Sequence, residues 1–183
     1  LGFKFGKSES EIQNIISRCS SKLLEVRNKR KQPGKDDKVI TSWNGLMISA
    51  FLSGHKITDD SKYLDVAKKS IDFFESNFEK NHILHRTFKN EESKLNGYLD
   101  DYAYMANASI DMFENTSDPK YLLFATNLAN HLITHFWDES SNGFFFTSDN
   151  HEKLIMRPKN NYDLSMPSGN SVAAYVLLRL HYI

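Results

Sequence analysis

The chain has 183 residues, 40% of them hydrophobic, with 23 Lys plus Arg against 23 Asp plus Glu. That length fits one domain or part of a larger one, and the balanced charge gives no electrostatic reason to expect nucleic acid or an anionic membrane as partner. One cysteine, Cys19, excludes an internal disulfide framework and a Cys-based zinc cluster, and no apolar run reaches the ~18–20 residues of a membrane span.

In chain order, residues 1–7 form an aromatic lead-in. Ser8 or Ser10 can cap a first helix with Glu11 in its first turn. Ile12, Ile15, Ile16, Cys19, Leu23, Leu24 and Val26 recur at helical spacing up to about Lys29, and Pro33-Gly34 ends the segment. The basic cluster Arg27, Lys29, Arg30 and Lys31 reads as a solvated helix end rather than a nucleic-acid signal. A second helix runs from Thr41 or Ser42 to His55. Trp43, Leu46, Met47, Ile48, Ala50, Phe51 and Leu52 leave it almost no polar face, so it is expected to be buried. A third, from about Ser61 to Phe78, sets one apolar stripe against Lys62, Asp65, Lys68, Lys69, Asp72 and Glu75, and should lie outside the second.

The pair then repeats. A fourth helix, Leu99 to about Phe113, is again mostly apolar, and a fifth follows Asp118-Pro119 to about Phe136. Asp60-Ser61-Lys62-Tyr63-Leu64 and Asp118-Pro119-Lys120-Tyr121-Leu122 align at an offset of 58 residues. A sixth helix, after Pro167-Ser168-Gly169, starts a third repeat. This is a repeat of helical hairpins, and the fold class is all-α. Connections from outer to inner helices are long, as functional loops tend to be. The first carries a short strand near 83–88; the second reads as a β-hairpin over 143–157 with its turn at 148–151.

Inner helices of successive hairpins run parallel, so their N-termini share one face with the long loops. Helix starts offer unpaired N–H groups and partial positive charge. Around them the chain gathers Asp37, Lys38, Trp43, Asn44, Asp100, Asp101, Tyr102, Arg157, Asp163, Ser168 and Asn170. Carboxylates beside aromatic rings are what a sugar site needs: rings stack on sugar faces, Asp and Asn bind hydroxyls, and paired carboxyls divide acid and base work. Singly, each residue also reads as a cap, a turn or core; recurrence at three equivalent helix starts favours a site. His131 and His135, at i and i+4, lack an evident third ligand and read as a wet outer-helix face rather than a metal site.

The stretches Asp36-Asp37-Lys38-Val39-Ile40-Thr41-Ser42-Trp43-Asn44-Gly45-Leu46-Met47, Tyr98-Leu99-Asp100-Asp101-Tyr102-Ala103, and Arg157-Pro158-Lys159 with Asp163 and Pro167-Ser168-Gly169-Asn170-Ser171, resemble the C-terminal region of the spermatogenesis-associated protein 20-like family. The resemblance covers roughly residues 27–180. Ser165 and Met166 depart from the small-apolar stretch that precedes Pro-Ser-Gly-Asn in that pattern. It implies a six-hairpin α/α toroid similar to N-acylglucosamine 2-epimerases and six-hairpin glycosidases, preceded by a thioredoxin-like domain. Residues 1–183 would then be a single piece, the C-terminal half of the toroid, with the other half and the thioredoxin-like domain elsewhere in the longer protein. The epimerase's catalytic histidines find no convincing match here.

The expected function is thus a carbohydrate-active or carbohydrate-binding toroid acting on a sugar-like ligand without a cofactor. Asp37, Asp101 and Asp163 are the catalytic carboxylates; Lys38, Trp43, Asn44, Asp100, Tyr102, Arg157, Ser168 and Asn170 bind substrate. The alternative is a non-catalytic scaffold beside the thioredoxin-like domain, in which the three motifs serve as caps. A cytoplasmic location is expected, and a dimer could cover inner helices left exposed by half a ring.

Overall fold

The computed structural model describes residues 2–152 and 155–183, which divide into two units, 1–37 and 38–183. The first unit holds α1 (Gly2–Phe5) and α2 (Glu9–Asn28). Ser8 closes a capping box: its Oγ accepts the Glu11 N–H at 3.3 Å, and the Glu11 carboxylate accepts the Ser8 N–H at 2.8 Å. Two N–H groups that a helix start leaves orphaned are thereby satisfied. Within this unit Ile16, Leu23, Leu24 and Val26 are exposed, as is Cys19.

The second unit comprises β1 (Val39–Ile40), α3 (Thr41–Thr58), α4 (Ser61–Asn81), β2 (His85–Lys89), β3 (Glu92–Asn96), α5 (Leu99–Thr116), α6 (Pro119–His135) and α7 (Gly169–Tyr182). The repeat read from sequence holds down to the backbone. Asp60 and Asp118 cap α4 and α6 by accepting the N–H two residues on, at 2.9 and 3.1 Å. Asp59 and Ser117, 58 residues apart, end α3 and α5 in the left-handed region, at φ 55° and 56°.

At the centre stands α5, buried through Leu99, Tyr102, Ala103, Met105, Ala106, Ile110 and Met112. Ala67, Ile71, Phe74 and Phe78 of α4 and Tyr121, Phe124, Ala125, Leu128 and Leu132 of α6 complete the core. Each fully buried large apolar side chain of this kind stabilises by roughly 1.5–3 kcal/mol. The outer helices touch each other through Phe78 and Phe124, 5.6 Å apart, and through the Tyr121 hydroxyl, which donates to Asp72 at 2.9 Å.

Side-chain bonds show that α3, α5 and α7 run parallel. At their N-terminal ends the Ser42 N–H donates to Asp101. Toward their C-terminal ends Arg179 of α7 donates to Asn107, Asp111 and Glu114 of α5, each at 2.7 Å. Lys56 of α3 meets the same Glu114 at 3.4 Å.

Three expectations are corrected. α3 is buried on one side only: Gly45, Ile48 and Leu52 are buried, whereas Trp43 and Met47 are exposed, because α3 packs on α4 and α5 and presents its far side outward. The single strand near 83–88 becomes a three-stranded antiparallel sheet in the order β1-β2-β3. The hairpin over 143–157 does not form among the described residues; Lys153 and Leu154 lie outside them. Its N–H groups bond elsewhere: Phe145 to Phe136 O, Phe146 to Pro158 O and Asp149 to His135 O, so the segment lies against the end of α6. Among the described residues no helix is long and apolar enough to cross a membrane.

Candidate functional site

The starts of α3, α5 and α7 meet at the consecutive residues Asp100 and Asp101. Asp101 is 0% exposed. Its carboxylate accepts the Ser42 N–H of α3 at 2.8 Å and the Tyr98 N–H ahead of α5 at 2.9 Å. Arg86 of β2 donates Nη1 to both its oxygens, at 3.1 and 3.2 Å. Burial raises this carboxyl above its ordinary value; the Arg86 guanidinium and the two N–H groups take back part of that rise.

Asp100 points the other way. It takes the Gly169 N–H at the start of α7, and burial, then the Asp101 charge, raises it from its ordinary value. A Cβ on Gly169 would stand 2.4 Å from an Asp100 carboxylate oxygen, so glycine is what lets α7 begin this close. The pair is thus a bracket: Asp101 caps the α3 side and Asp100 the α7 side.

Beside Asp100 opens a cavity of about 120 Å³, lined also by Tyr104, Asn160, Tyr162, Leu164, Met166 and Ser168. Whole ligand sites run to roughly 300–1,000 Å³, so this niche is smaller than a complete site. The Tyr104 hydroxyl donates to the Pro167 carbonyl. Burial, then the charges of Asp100, Asp163 and Asp101, push it up to about 12. Asp163, exposed, accepts the Ser168 N–H at 2.7 Å, and that bond, with the Ser171 hydroxyl, holds its carboxyl below the usual range. Ser168 caps α7, its Oγ accepting the Ser171 N–H at 3.1 Å.

Asp100, Asp163 and Ser168 therefore come together, with Asp101 behind them. The other residues named from sequence lie elsewhere or are otherwise engaged. Tyr102 is 1% exposed. Its hydroxyl accepts the Leu84 N–H at 2.9 Å and its ring stacks on His131, so it packs the core and offers no face to a ligand. Arg157 donates to the Thr147 and His135 carbonyls at 3.1 and 3.0 Å and lies over Phe145, capping the end of α6. Asn170 clamps Phe144 by two bonds, 2.7 and 2.9 Å. Asn44 donates to the Ile40 carbonyl at 2.9 Å, and Trp43 is 58% exposed on the first turn of α3. Lys38 lines a different cavity, of about 320 Å³, with Thr87, Lys89, Asn90, Glu92 and Lys94. Asp37 is the last residue of the first unit and is exposed.

Two residues of this region were not singled out from sequence. Tyr104 stands at i+4 from Asp100, a helical spacing that carries the signal. Arg86 gives no local signal, since its partner lies 15 residues on, across the β2–β3 turn. Among the described residues no group of three His, Cys, Asp or Glu could hold a metal ion.

His131 is not on a wet face. It stacks on Tyr102 with centroids 4.5 Å apart, and burial, then His135, lowers it from 6.5 to about 4. A histidine kept neutral by folding contributes stability that is full above its unfolded value and is lost as pH falls through the folded one. Melting temperature is expected to fall between pH 6.5 and about 4, and His131→Phe to flatten that fall in a thermal melt series. An unchanged slope would remove His131 from the acid response.

The chain is similar to proteins of known sequence and structure. Spermatogenesis-associated protein 20 of Homo sapiens is 26% identical over 194 residues, covering 97% of this chain and 24% of that protein; the chain therefore spans about a quarter of that relative's length. The structure of cellobiose 2-epimerase from Bacillus thermoamylovorans aligns with a TM-score of 0.59 at 16% identity, over 67% of this chain and 35% of that one. The GH76 alpha-mannanase of Bacteroides thetaiotaomicron aligns at 0.53 and 17%, over 63% of this chain and 32% of that one. At such identities the likeness is one of fold, the α/α toroid. The family model described as glycosyl hydrolase family 76 matches residues 9–145, three quarters of the chain, and the chain belongs to that family.

Proposed function

We propose that this chain supplies part of a glycoside-processing site at the mouth formed by the starts of α5 and α7. The observation that carries the reading is a pair of carboxyls set in opposite surroundings on either side of Ser168: Asp100 borders the cavity with Ser168 and is raised by burial, while Asp163 accepts the Ser168 N–H and is held low by that bond. Titratable groups driven apart in this way are how one site assembles an acid and a base. Asp100 donates a proton to the leaving glycosidic oxygen, and Asp163 is the second carboxylate, activating water or meeting the sugar carbon. Tyr104, buried with its hydroxyl on the Pro167 carbonyl, forms the wall of the niche, and Tyr162, 80% exposed, supplies a ring face. Asp101 holds the helix starts instead of touching sugar.

The test is a thermal-shift and turnover panel of manno- and cello-oligosaccharides, run on the purified protein. Binding is expected to raise the melting temperature, and Asp100→Asn to cut turnover by about 10²–10⁴-fold with the fold intact. Absence of any shift or turnover across the panel, or full activity in Asp100→Asn, would overturn the reading. The scaffold alternative draws its support from Asp101 and Ser168, whose bonds are those of caps; it expects the first of those outcomes.

A further inference from the structure

Burial raises both carboxyls of the consecutive pair Asp100 and Asp101, and their partners decide which of them takes a proton first. The partners here are unequal. Asp101 has no exposure and takes donors from three directions: Ser42 of α3, Tyr98 ahead of α5, and Arg86 of β2. Asp100 takes the Gly169 N–H and borders the cavity. Arg86 is held in place from three sides. β2 is paired on both edges, by β1 and β3. The guanidinium carbon lies 5.3 Å from the centroid of the Tyr98 ring, which in turn stacks on Phe146 at 4.8 Å. Nη1 reaches both oxygens of Asp101 and also the Ser42 hydroxyl, at 3.3 Å.

We propose that Arg86 is the positioning residue of this pair: it keeps the negative charge on Asp101 and so leaves Asp100 to carry the proton at the cavity. The catalytic meaning rests on the glycoside reading above; the assignment itself does not. The other groups facing the pair leave this role to Arg86. From α5 come Asp101, Asp100 and Tyr104, all acids; from α3 the uncharged Ser42; from α7 the Gly169 N–H; from the segment between α6 and α7 come Asp163, acting across Tyr104, and His151, which feels Asp101. Among the described residues Arg86 is the cation seen in contact with an Asp101 oxygen.

The test is a ¹³C NMR titration of the aspartate carboxyls in wild type, Arg86→Met and Arg86→Lys, with Asp100→Asn and Asp101→Asn to assign the two signals. In wild type, Asp100 is expected to protonate at the higher pH. In Arg86→Met the order reverses, with Asp101 now taking the first proton, since losing an adjacent opposite charge moves a carboxyl by about 1–3 units. Arg86→Lys keeps the charge and the wild-type order. Asp101 protonating first in wild type would overturn the proposal even if Arg86→Met fails to fold; so would an unchanged order in a folded Arg86→Met. No sugar is present in any sample, so the wild-type order in a protein that turns over no sugar would retain the role of Arg86 and dismiss the glycoside reading.

Discussion

Asp101→Ala is expected to lose about 3–5 kcal/mol of stability, the cost of leaving a buried charge without its partner. Arg86, its side chain 26% exposed, would keep its charge facing a void. The Ser42 and Tyr98 N–H groups would lose their acceptor at the starts of two helices. Each orphaned buried donor costs about 1–3 kcal/mol, an effect within the larger figure rather than added to it. Denaturant unfolding gives the total, and hydrogen exchange gives the location: protection should fall first in the opening turns of α3 and α5. A loss below about 1 kcal/mol, the value of an ordinary exposed cap, would mean that Asp101 is not the hub of these helix starts.

Gly45→Ala is the second large effect. A Cβ there would stand 2.8 Å from the Tyr104 carbonyl carbon, 2.9 Å from Tyr104 Cβ and 3.0 Å from the Met105 nitrogen. Two of those atoms are backbone of α5 and cannot rotate away, so α3 must move. Alanine's better helix propensity returns up to about 1 kcal/mol, and overpacking costs about 1–3. The net result is expected to be destabilising, and larger still for Gly45→Val. Gly54→Ala is the control: its Cβ would meet the Tyr63 ring at 3.7 Å, ordinary contact, and it should be neutral or stabilising. Equal melting temperatures for Gly45→Ala and Gly54→Ala would contradict the close approach of α3 and α5.

The hairpin repeat was legible because its signals are local. Apolar stripes, Asp60 and Asp118 as caps and Pro119 at a first helical position lie within a few residues of what they determine. The site was legible only in part, because which way a side chain points depends on neighbours distant in sequence. Tyr102 and Tyr104 both follow the Asp pair, yet two residues on a helix turn the side chain to nearly the opposite face. One enters the core and the other borders the cavity. Arg157, a cation in a long loop, reads as a ligand contact until the end of α6 is seen to need a donor for the His135 carbonyl. Asp101 read as a catalytic acid because a shared cap and a catalytic carboxylate ask for the same residue type at the same helix position.

Parallel packing of α3, α5 and α7 has an electrostatic cost that their side chains offset. Each helix carries a macrodipole, positive at its start and negative at its end, and parallel neighbours set like poles side by side. At the positive poles stand Asp100 and Asp101; in the last turns of α3 and α7, Lys56 and Arg179 bring cations, shared with Asp111 and Glu114 of α5. The two carboxyls at the helix starts thus offset the repulsion of like poles, each by about 0.3–1 kcal/mol.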